Sequence, residues 1–400
     1  MKKILLVTSG GLPLPAVKGG AVETLSEILL KENEKQGRYD ISVLSIWNEE
    51  AYKLAKSYKN AKFIFFKINN FINSMVARLV HLLNKCLKTS FCNETLFLLN
   101  VMRHVKKNTY DIIVIENRDA FVIPIAKYNV HHAKLVLHVH NSYLGKNTKN
   151  AVKKAAALDQ IITVSDFLTN EVLEINDILQ SKVVTLKNCI DICLFKNKKN
   201  YEFRENFRKL HGIKDEDTVF LYCGRINPTK GVYELVKAFN RLNNMRTYLL
   251  IIGASWYSCN NKNDYLEKIK KEAEKSKDRI VFTGYINHDE ISKYYSIGDV
   301  AMVPSMWDEP AGLVVTEALA AGLPLITTNK GGIPEYANKN NAILLPVDQG
   351  FVQSLTEEMN RMTDPSIRTK TSEGATAFAE KYNAEHYYAE FSKIMNQMFE

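Results

Sequence analysis

A chain of 400 residues with 46% hydrophobic and 24% charged side chains carries apolar material for two folded domains, and no apolar run approaches the roughly 20 residues that cross a bilayer. Six cysteines (86, 92, 189, 193, 223, 259) form no C-x-x-C pair, and Cys189 and Cys193 have no histidine cluster beside them, so reduced cytoplasmic thiols are expected rather than a disulfide framework or a metal site. The net charge of +9 is concentrated: residues 51–110 hold eleven Lys/Arg against one acid, Glu94, which suggests an anionic partner such as a phosphate-rich membrane surface or nucleic acid.

Lys2-Lys3 followed by an apolar run into Gly10-Gly11 reads as a first buried strand, Ile4 to Thr8, since the run is short for a signal peptide. A loop from Ser9 to Pro15 and Gly19-Gly20 then lead into a helix from Ala21 to Leu30, with apolar residues at 21/22, 25, 28 and 29. A strand, a glycine loop and a helix start can cradle a phosphate, although without G-x-G-x-x-G a flexible turn is the better reading of Gly-Gly taken alone. Ile41–Ile46 and Phe63–Phe66 are the next strands. Phe71–Lys85 reads as an apolar helix with cationic flanks: either an interfacial helix reaching a lipid-linked acceptor, or a core helix with solvated lysines.

Tyr110–Glu116 and Leu135–Asn141 are buried strands, the second ending in polar groups. Ligands of parallel sheets sit beyond the carboxyl ends of the strands, so His140 is placed for chemistry. His138, two residues earlier, is expected as a satisfied core histidine, and His131-His132 as a surface turn. Ala151–Leu158 is a helix, and Gln160–Ser165 and Val183–Leu186 are the last strands of this half.

Residues 196–217 are polar and read as a linker with a short helix. Val219–Cys223 is a strand running into Gly224-Arg225-Ile226-Asn227-Pro228-Thr229-Lys230-Gly231, ahead of a helix from Val232 to Phe239. Two cations at a helix start suit a diphosphate, or are two solvated loop charges. Leu249–Gly253, Ile280–Ile286 and Val300–Ser305 are further strands. In Trp307–Pro334, Glu309 and Glu317 bracket seven residues, and Pro310 and Gly312 open an apolar helix, with Pro in its first turn, that stops at Gly322 and Pro324. Leu325–Thr328 is a short strand and Gly331-Gly332 a tight turn. N–H groups near Gly312 and Leu313 point out of a helix start, where an anion is favoured, and flanking carboxylates suit hydroxyls. Taken singly, Glu317 as a lysine partner and Glu309-Pro310 as a turn are competing readings. Strands alternate with helices in both halves, a doubly wound parallel architecture twice over, with the cleft between halves as the default ligand site.

The E-x7-E pattern followed by Ala318-Leu319-Ala320-Ala321-Gly322-Leu323-Pro324, with Gly19-Gly20, His140 and Arg225/Lys230, resembles the retaining glycosyltransferases of GT-B fold, family GT4 (glycosyltransferase group 1), of the bacterial surface-polysaccharide type. The resemblance spans nearly the whole chain. It implies an α/β protein of two Rossmann-like domains facing each other across a cleft. Residues 1–187 form the acceptor-side domain, with a C-terminal helix from about 382 to 400 packed back on it. Residues 188–381 form the nucleotide-sugar-binding domain. Asn188-Cys189-Ile190-Asp191 is similar to the family's Asn-Gly-x-Asp hinge, with Cys189 in place of glycine.

The resemblance further implies transfer of a sugar from a nucleotide diphosphate donor, a UDP-sugar, to a glycan or lipid-linked acceptor in polysaccharide (capsule) assembly. Gly19 and Gly20 would lie against the donor phosphates, and Arg225 and Lys230, with Gly224, Gly312 and Leu313, would hold the diphosphate. Tyr285 and Ile286 would contact the base, Glu317 the ribose, and Glu309 and His140 the sugar. The catalytic set is His140, Glu309, Arg225 and Lys230, without cofactor or metal, since no Asp-x-Asp motif ends a strand. Many relatives have an aromatic residue where Ala311 stands, which implies a roomier sugar pocket. Alternatives are a nucleotide-sugar epimerase or hydrolase of the same fold, or a non-enzymatic membrane-docking protein; the basic region has no nucleic-acid-reading motif. The expected location is cytoplasmic, with residues 51–110 in peripheral contact with the inner face of the membrane.

Overall fold

The computed structural model describes residues 1–68, 72, 74–76, 78, 80, 95–196, 200–254 and 264–400, so the expected Phe71–Lys85 helix falls mostly outside the described residues. The chain divides into two compact units, Met1–Asn188 with Ala384–Glu400, and Cys189–Asn383.

Seven parallel strands build the first unit: β1 (Lys2–Val7), β2 (Tyr39–Ile46), β3 (Ala61–Phe66), β4 (Ile112–Glu116), β5 (Lys134–Val139), β6 (Gln160–Thr163) and β7 (Val183–Thr185), in the order β3-β2-β1-β4-β5-β6-β7. Continuous Ile/Leu/Val runs suit strands covered by helices on both faces, and Ile4–Val7 and Ile112–Ile115 are all at most 1% exposed. The chain builds outward from β1 to β3 and returns to the other side of β1 at β4, so β1 and β4 flank the switch point where such sheets bind ligands. The C-terminal helix Ala384–Gln397 belongs to this unit and packs on helix Ala21–Gln36. Tyr388 Oη donates to Asn33 Oδ1 at 2.6 Å and Tyr39 Oη to the Ser392 carbonyl at 3.2 Å. Phe391 and Met395 are buried there, each contributing roughly 1.5–3 kcal/mol.

The second unit is a six-stranded parallel sheet: β8 (Thr218–Cys223), β9 (Thr247–Ile252), β10 (Ile280–Gly284), β11 (Val300–Val303), β12 (Leu325–Thr328) and β13 (Ala342–Leu345), ordered β10-β9-β8-β11-β12-β13. Its switch point lies between β8 and β11, paired from Val300 with Phe220 to Met302 with Tyr222. Phe220, Leu235, Phe239, Leu249 and Ile326 form its core.

Residues 196–217 are not a simple linker. Helix Tyr201–Leu210 is fastened to the second unit by guanidinium groups: Arg204 Nη2 lies 2.8 Å from Asp299 Oδ1, and Arg208, 2% exposed, donates to the Asp217 carbonyl at 2.8 Å. Phe203 and Phe207 pack on Tyr294 from the same helix, with ring centres 5.1 and 6.3 Å away. Cys189 is buried, and it is absent from the non-glycine residues of positive φ (Asn117, His132, Asn150), so its backbone has no need of glycine. None of Cys189, Cys193 and Cys223 is in a disulfide. Among the described residues no helix is long and apolar enough to cross a membrane.

Candidate active site

In the second unit two loops leave the switch point. The first, Gly224 to Gly231, follows β8; the second, Pro304 to Gly312, follows β11. They press together: Met306 N–H donates to the Thr229 carbonyl at 2.8 Å, and a Cβ on Gly231 (φ 67°) would collide with the Pro304 carbonyl oxygen. That approach brings Lys230 Nζ into an ion pair with the Glu309 carboxylate, which also accepts from Ser305 Oγ at 2.6 Å. Lys230 Nζ lies 5.8 Å from the centre of the Trp307 ring. Glu309 is held from behind as well. Gly332 N–H donates to its carbonyl at 2.7 Å, and Gly331 (φ 55°) packs so closely that a Cβ would fall 2.6 Å from Glu309 N. The Gly331-Gly332 turn read in the sequence thus has a specific task.

Helix Leu313–Ala320 starts one residue after Gly312, whose φ of 90° is not helical, so Pro310 precedes the helix instead of occupying its first turn. Gly312 provides no side-chain cap and the first turn holds no acid, which leaves the helix start open to an anion. Glu317, 7% exposed, accepts from Tyr295 Oη at 3.0 Å. Burial and the nearby Glu317 push the Cys223 thiol far up, so it stays protonated beside them. Arg225 shares the first loop with Lys230, but its side chain is exposed while Lys230 turns to Glu309. Tyr285 and Ile286 follow β10, two strands from β8 at the same edge of the sheet, and are half-buried.

The remaining expected residues lie in the first unit. Gly20 (φ 108°) precedes helix Ala21–Gln36, and the Glu23 carboxyl already lies over it, since a Cβ on Gly20 would strike Glu23 Oε2. Ser9 Oγ donates to Glu23 Oε1 at 3.2 Å, and burial raises the Glu23 pKa above the usual carboxylate range. Gly19 (φ 71°) has open space around it.

His140 stands one residue past β5, 7% exposed. Its Nε2 is 3.0 Å from Glu116 Oε2, and His138 Nδ1 is 3.1 Å from the same oxygen. His138 is buried, as expected of a core histidine, but it does not stand apart from His140. It shares a carboxylate with His140, their ring centres are 4.0 Å apart, and its buried Nε2 has no hydrogen-bond partner among the described residues. Burial opposes ionisation of Glu116, yet the two imidazoles hold its pKa at about 2. Burial and the neighbouring His138 lower that of His140 to about 4, against the pull of Glu116. The three side chains offer one donor atom each within 4.8 Å of one another, a set that can hold a metal ion as well as hydrogen bonds. Sequence reasoning passed over Glu116; its signal was a carboxylate ending a buried strand beside a His-x-His strand.

Two doubly wound domains, each with polar groups gathered past its switch point, define a protein of two Rossmann-like domains. Residues 203–377 match the family described as glycosyl transferases group 1, and residues 70–193 match glycosyltransferase family 4. The chain belongs to the group 1 glycosyltransferases and has their GT-B fold. It is 27% identical to the Bacillus subtilis protein YtcC over 381 residues, covering 90% of this chain and 86% of that one. It is 28% identical over 307 residues to the lipopolysaccharide 1,2-N-acetylglucosaminetransferase of Salmonella typhimurium, covering 76% and 77%. Its fold matches Anabaena HepE, solved in complex with UDP and glucose, with a TM-score of 0.75 at 18% identity over 99% of both chains.

Proposed function

We propose that this glycosyltransferase moves a sugar from a UDP-sugar to a glycan or lipid-linked acceptor of cell-surface polysaccharide assembly, with retention and without a metal ion. The observation that carries the reading is the Lys230–Glu309 pair beside the open start of helix Leu313–Ala320. A positioned ammonium and helix-start N–H groups are what a departing diphosphate needs as its charge grows. On donor binding Lys230 turns from Glu309 to the phosphates, and Glu309 is freed to accept from sugar hydroxyls. Arg225 and the Gly224, Gly312 and Leu313 backbone complete the diphosphate contacts. Glu317, oriented by Tyr295, accepts from the ribose hydroxyls, and the Tyr285-Ile286 backbone meets the base. In the first unit, Gly19 and Gly20 serve the donor phosphates and His140 accepts from the transferred sugar.

As the anomeric C–O bond breaks, its electron pair leaves with UDP. The acceptor hydroxyl then attacks the same face, and its proton passes to the departing diphosphate. The UDP and glucose of the HepE complex and the lipopolysaccharide acceptor named for the Salmonella relative support these substrate classes.

The test is turnover of a panel of UDP-sugars in EDTA, with product configuration read by NMR. One donor is expected to turn over with retention, and Arg225→Ala to lower the rate about 10²–10³-fold. An inverted product, a rate abolished by EDTA, or a near-normal Arg225→Ala would refute the proposal.

Peripheral membrane contact on the cytoplasmic side is part of the same proposal. Trp47, Tyr52 and Leu54 are 36–40% exposed, with Lys67 Nζ 4.7 Å from the Trp47 ring and Lys56 Nζ 4.9 Å from the Tyr52 ring. Exposed aromatic rings with cations beside them suit an anionic interface. Flotation with anionic phospholipid vesicles is expected to show binding that fades with salt and weakens in Trp47→Ala. Absence of binding at low salt would remove the membrane from the picture.

A further inference from the structure

We propose that Glu116 is the positioning residue of His140: by taking the hydrogen on Nε2 it fixes the imidazole in the tautomer that offers the Nδ1 lone pair to the donor sugar. The inference rests on the reading that His140 meets that sugar, and adds the group that makes it an acceptor.

The geometry begins with strand register. β4 and β5 are neighbours, with Glu116 opposite His138. Side chains two apart on a strand share a face, so His138 and His140 both turn toward the end of β4. The turn after Glu116 fastens the backbone. Asn117, at φ 54°, is of the residue type that tolerates this conformation. Its N–H donates to the His138 carbonyl at 2.8 Å, and its Oδ1 accepts from the His140 N–H at 3.0 Å. With backbone and carboxylate fixed, Glu116 Oε2 lies 3.0 Å from His140 Nε2.

An ionised carboxylate is an acceptor only, so the hydrogen of that bond belongs to Nε2. A neutral imidazole has one N–H, and Nδ1 is then an acceptor for a sugar hydroxyl. The low pKa of His140 agrees, keeping the ring neutral near pH 7. His138 locks the carboxylate in place through its own Nδ1, 3.1 Å from the same oxygen. The other charged groups here are Arg118, whose Nε donates to the Ser9 carbonyl at 3.3 Å, and Glu23 from helix Ala21–Gln36. Glu116 is the carboxylate that faces His140 Nε2, and so it selects the tautomer.

The test is made on the full chain labelled with ¹⁵N-histidine. At pH 7 the His140 ring, identified by its loss in His140→Gln, is expected to show a protonated Nε2 and a bare Nδ1. Glu116→Gln keeps the shape but its amide can donate, so the ring should shift toward the Nδ1–H tautomer. Turnover of the UDP-sugar should fall about 10–100-fold, the usual range for losing a group that orients a functional histidine, with donor KM changed less than about threefold. Glu116→Asp, which retracts the carboxylate but keeps its charge, should retain the wild-type tautomer and lie between the two in rate. It also serves if Glu116→Gln does not fold.

An unchanged tautomer in Glu116→Gln, or turnover within about twofold of wild type, overturns the inference. So would one equivalent of tightly bound metal in the purified protein that Glu116→Gln releases. Normal turnover in His140→Ala overturns instead the functional reading beneath it, whatever the tautomer.

Discussion

Lys230→Ala is expected to lower turnover about 10²–10³-fold, the usual consequence of removing one donor aimed at developing negative charge. Two effects combine in this variant and can be separated. In the resting enzyme Lys230 neutralises Glu309, which is 6% exposed. Without it the carboxylate keeps the Ser305 hydroxyl but loses its counter-charge, at about 1–3 kcal/mol of stability. During the reaction the same ammonium would stabilise the departing diphosphate. A Lys230→Ala/Glu309→Gln double variant removes the stranded charge, so it should recover most of the lost melting temperature and none of the lost turnover. The pair of measurements is a double-mutant cycle. Turnover within about tenfold of wild type in Lys230→Ala would mean that the diphosphate is held elsewhere.

Gly331→Ala should be among the most damaging single methyls in the second unit. The position has φ 55°, and the new Cβ would lie 2.6 Å from Glu309 N and 2.7 Å from Asp308 C. These are backbone atoms of the loop that carries the carboxylate, so no flexible side chain can swing aside. Overpacking of about 1–3 kcal/mol adds to about 1–2 kcal/mol for a left-handed conformation with a side chain. The melting temperature should fall on the order of 10 °C. Relief by moving the Asp308-Glu309 backbone would disturb the Lys230 pair, so donor binding should weaken as well. Calorimetric melting and donor titration check both. Gly19→Ala is the contrast: Gly19 has nothing within 4 Å of its Cβ position, so only the backbone cost of its φ of 71° remains. A drop for Gly331→Ala no larger than for Gly19→Ala would show that the loop is not clamped there.

Much of the fold was legible along the chain. Ile/Leu/Val runs such as Ile112–Ile115 announce strands buried on both faces, and β/α alternation leaves a parallel sheet as the natural outcome. The E-x7-E stretch was legible because its parts are neighbours in the chain. The misreadings share one cause. Residues 196–217 read as a linker with a short helix because what fastens helix Tyr201–Leu210, Asp299 for Arg204 and Tyr294 for Phe203 and Phe207, lies far along the chain. His138 looked like an ordinary core histidine because its partner, Glu116, lies 22 positions away. Pro310 looked helical because Gly312's φ is not written in its type.

Element order, the two-domain α/β architecture and the family were thus available from local chemistry, since periodicity, glycine placement and short motifs are properties of adjacent residues. Which groups meet was decided only when the sheets formed. The order β10-β9-β8-β11-β12-β13 sets the loops after β8 and β11 side by side and pairs Lys230 with Glu309, 79 positions apart. The neighbouring of β4 and β5 likewise sets Glu116 against His138 and His140. Hydrogen-bond and ion-pair partners follow strand order and register, and these are settled by burying whole faces together rather than by any single stretch of residues.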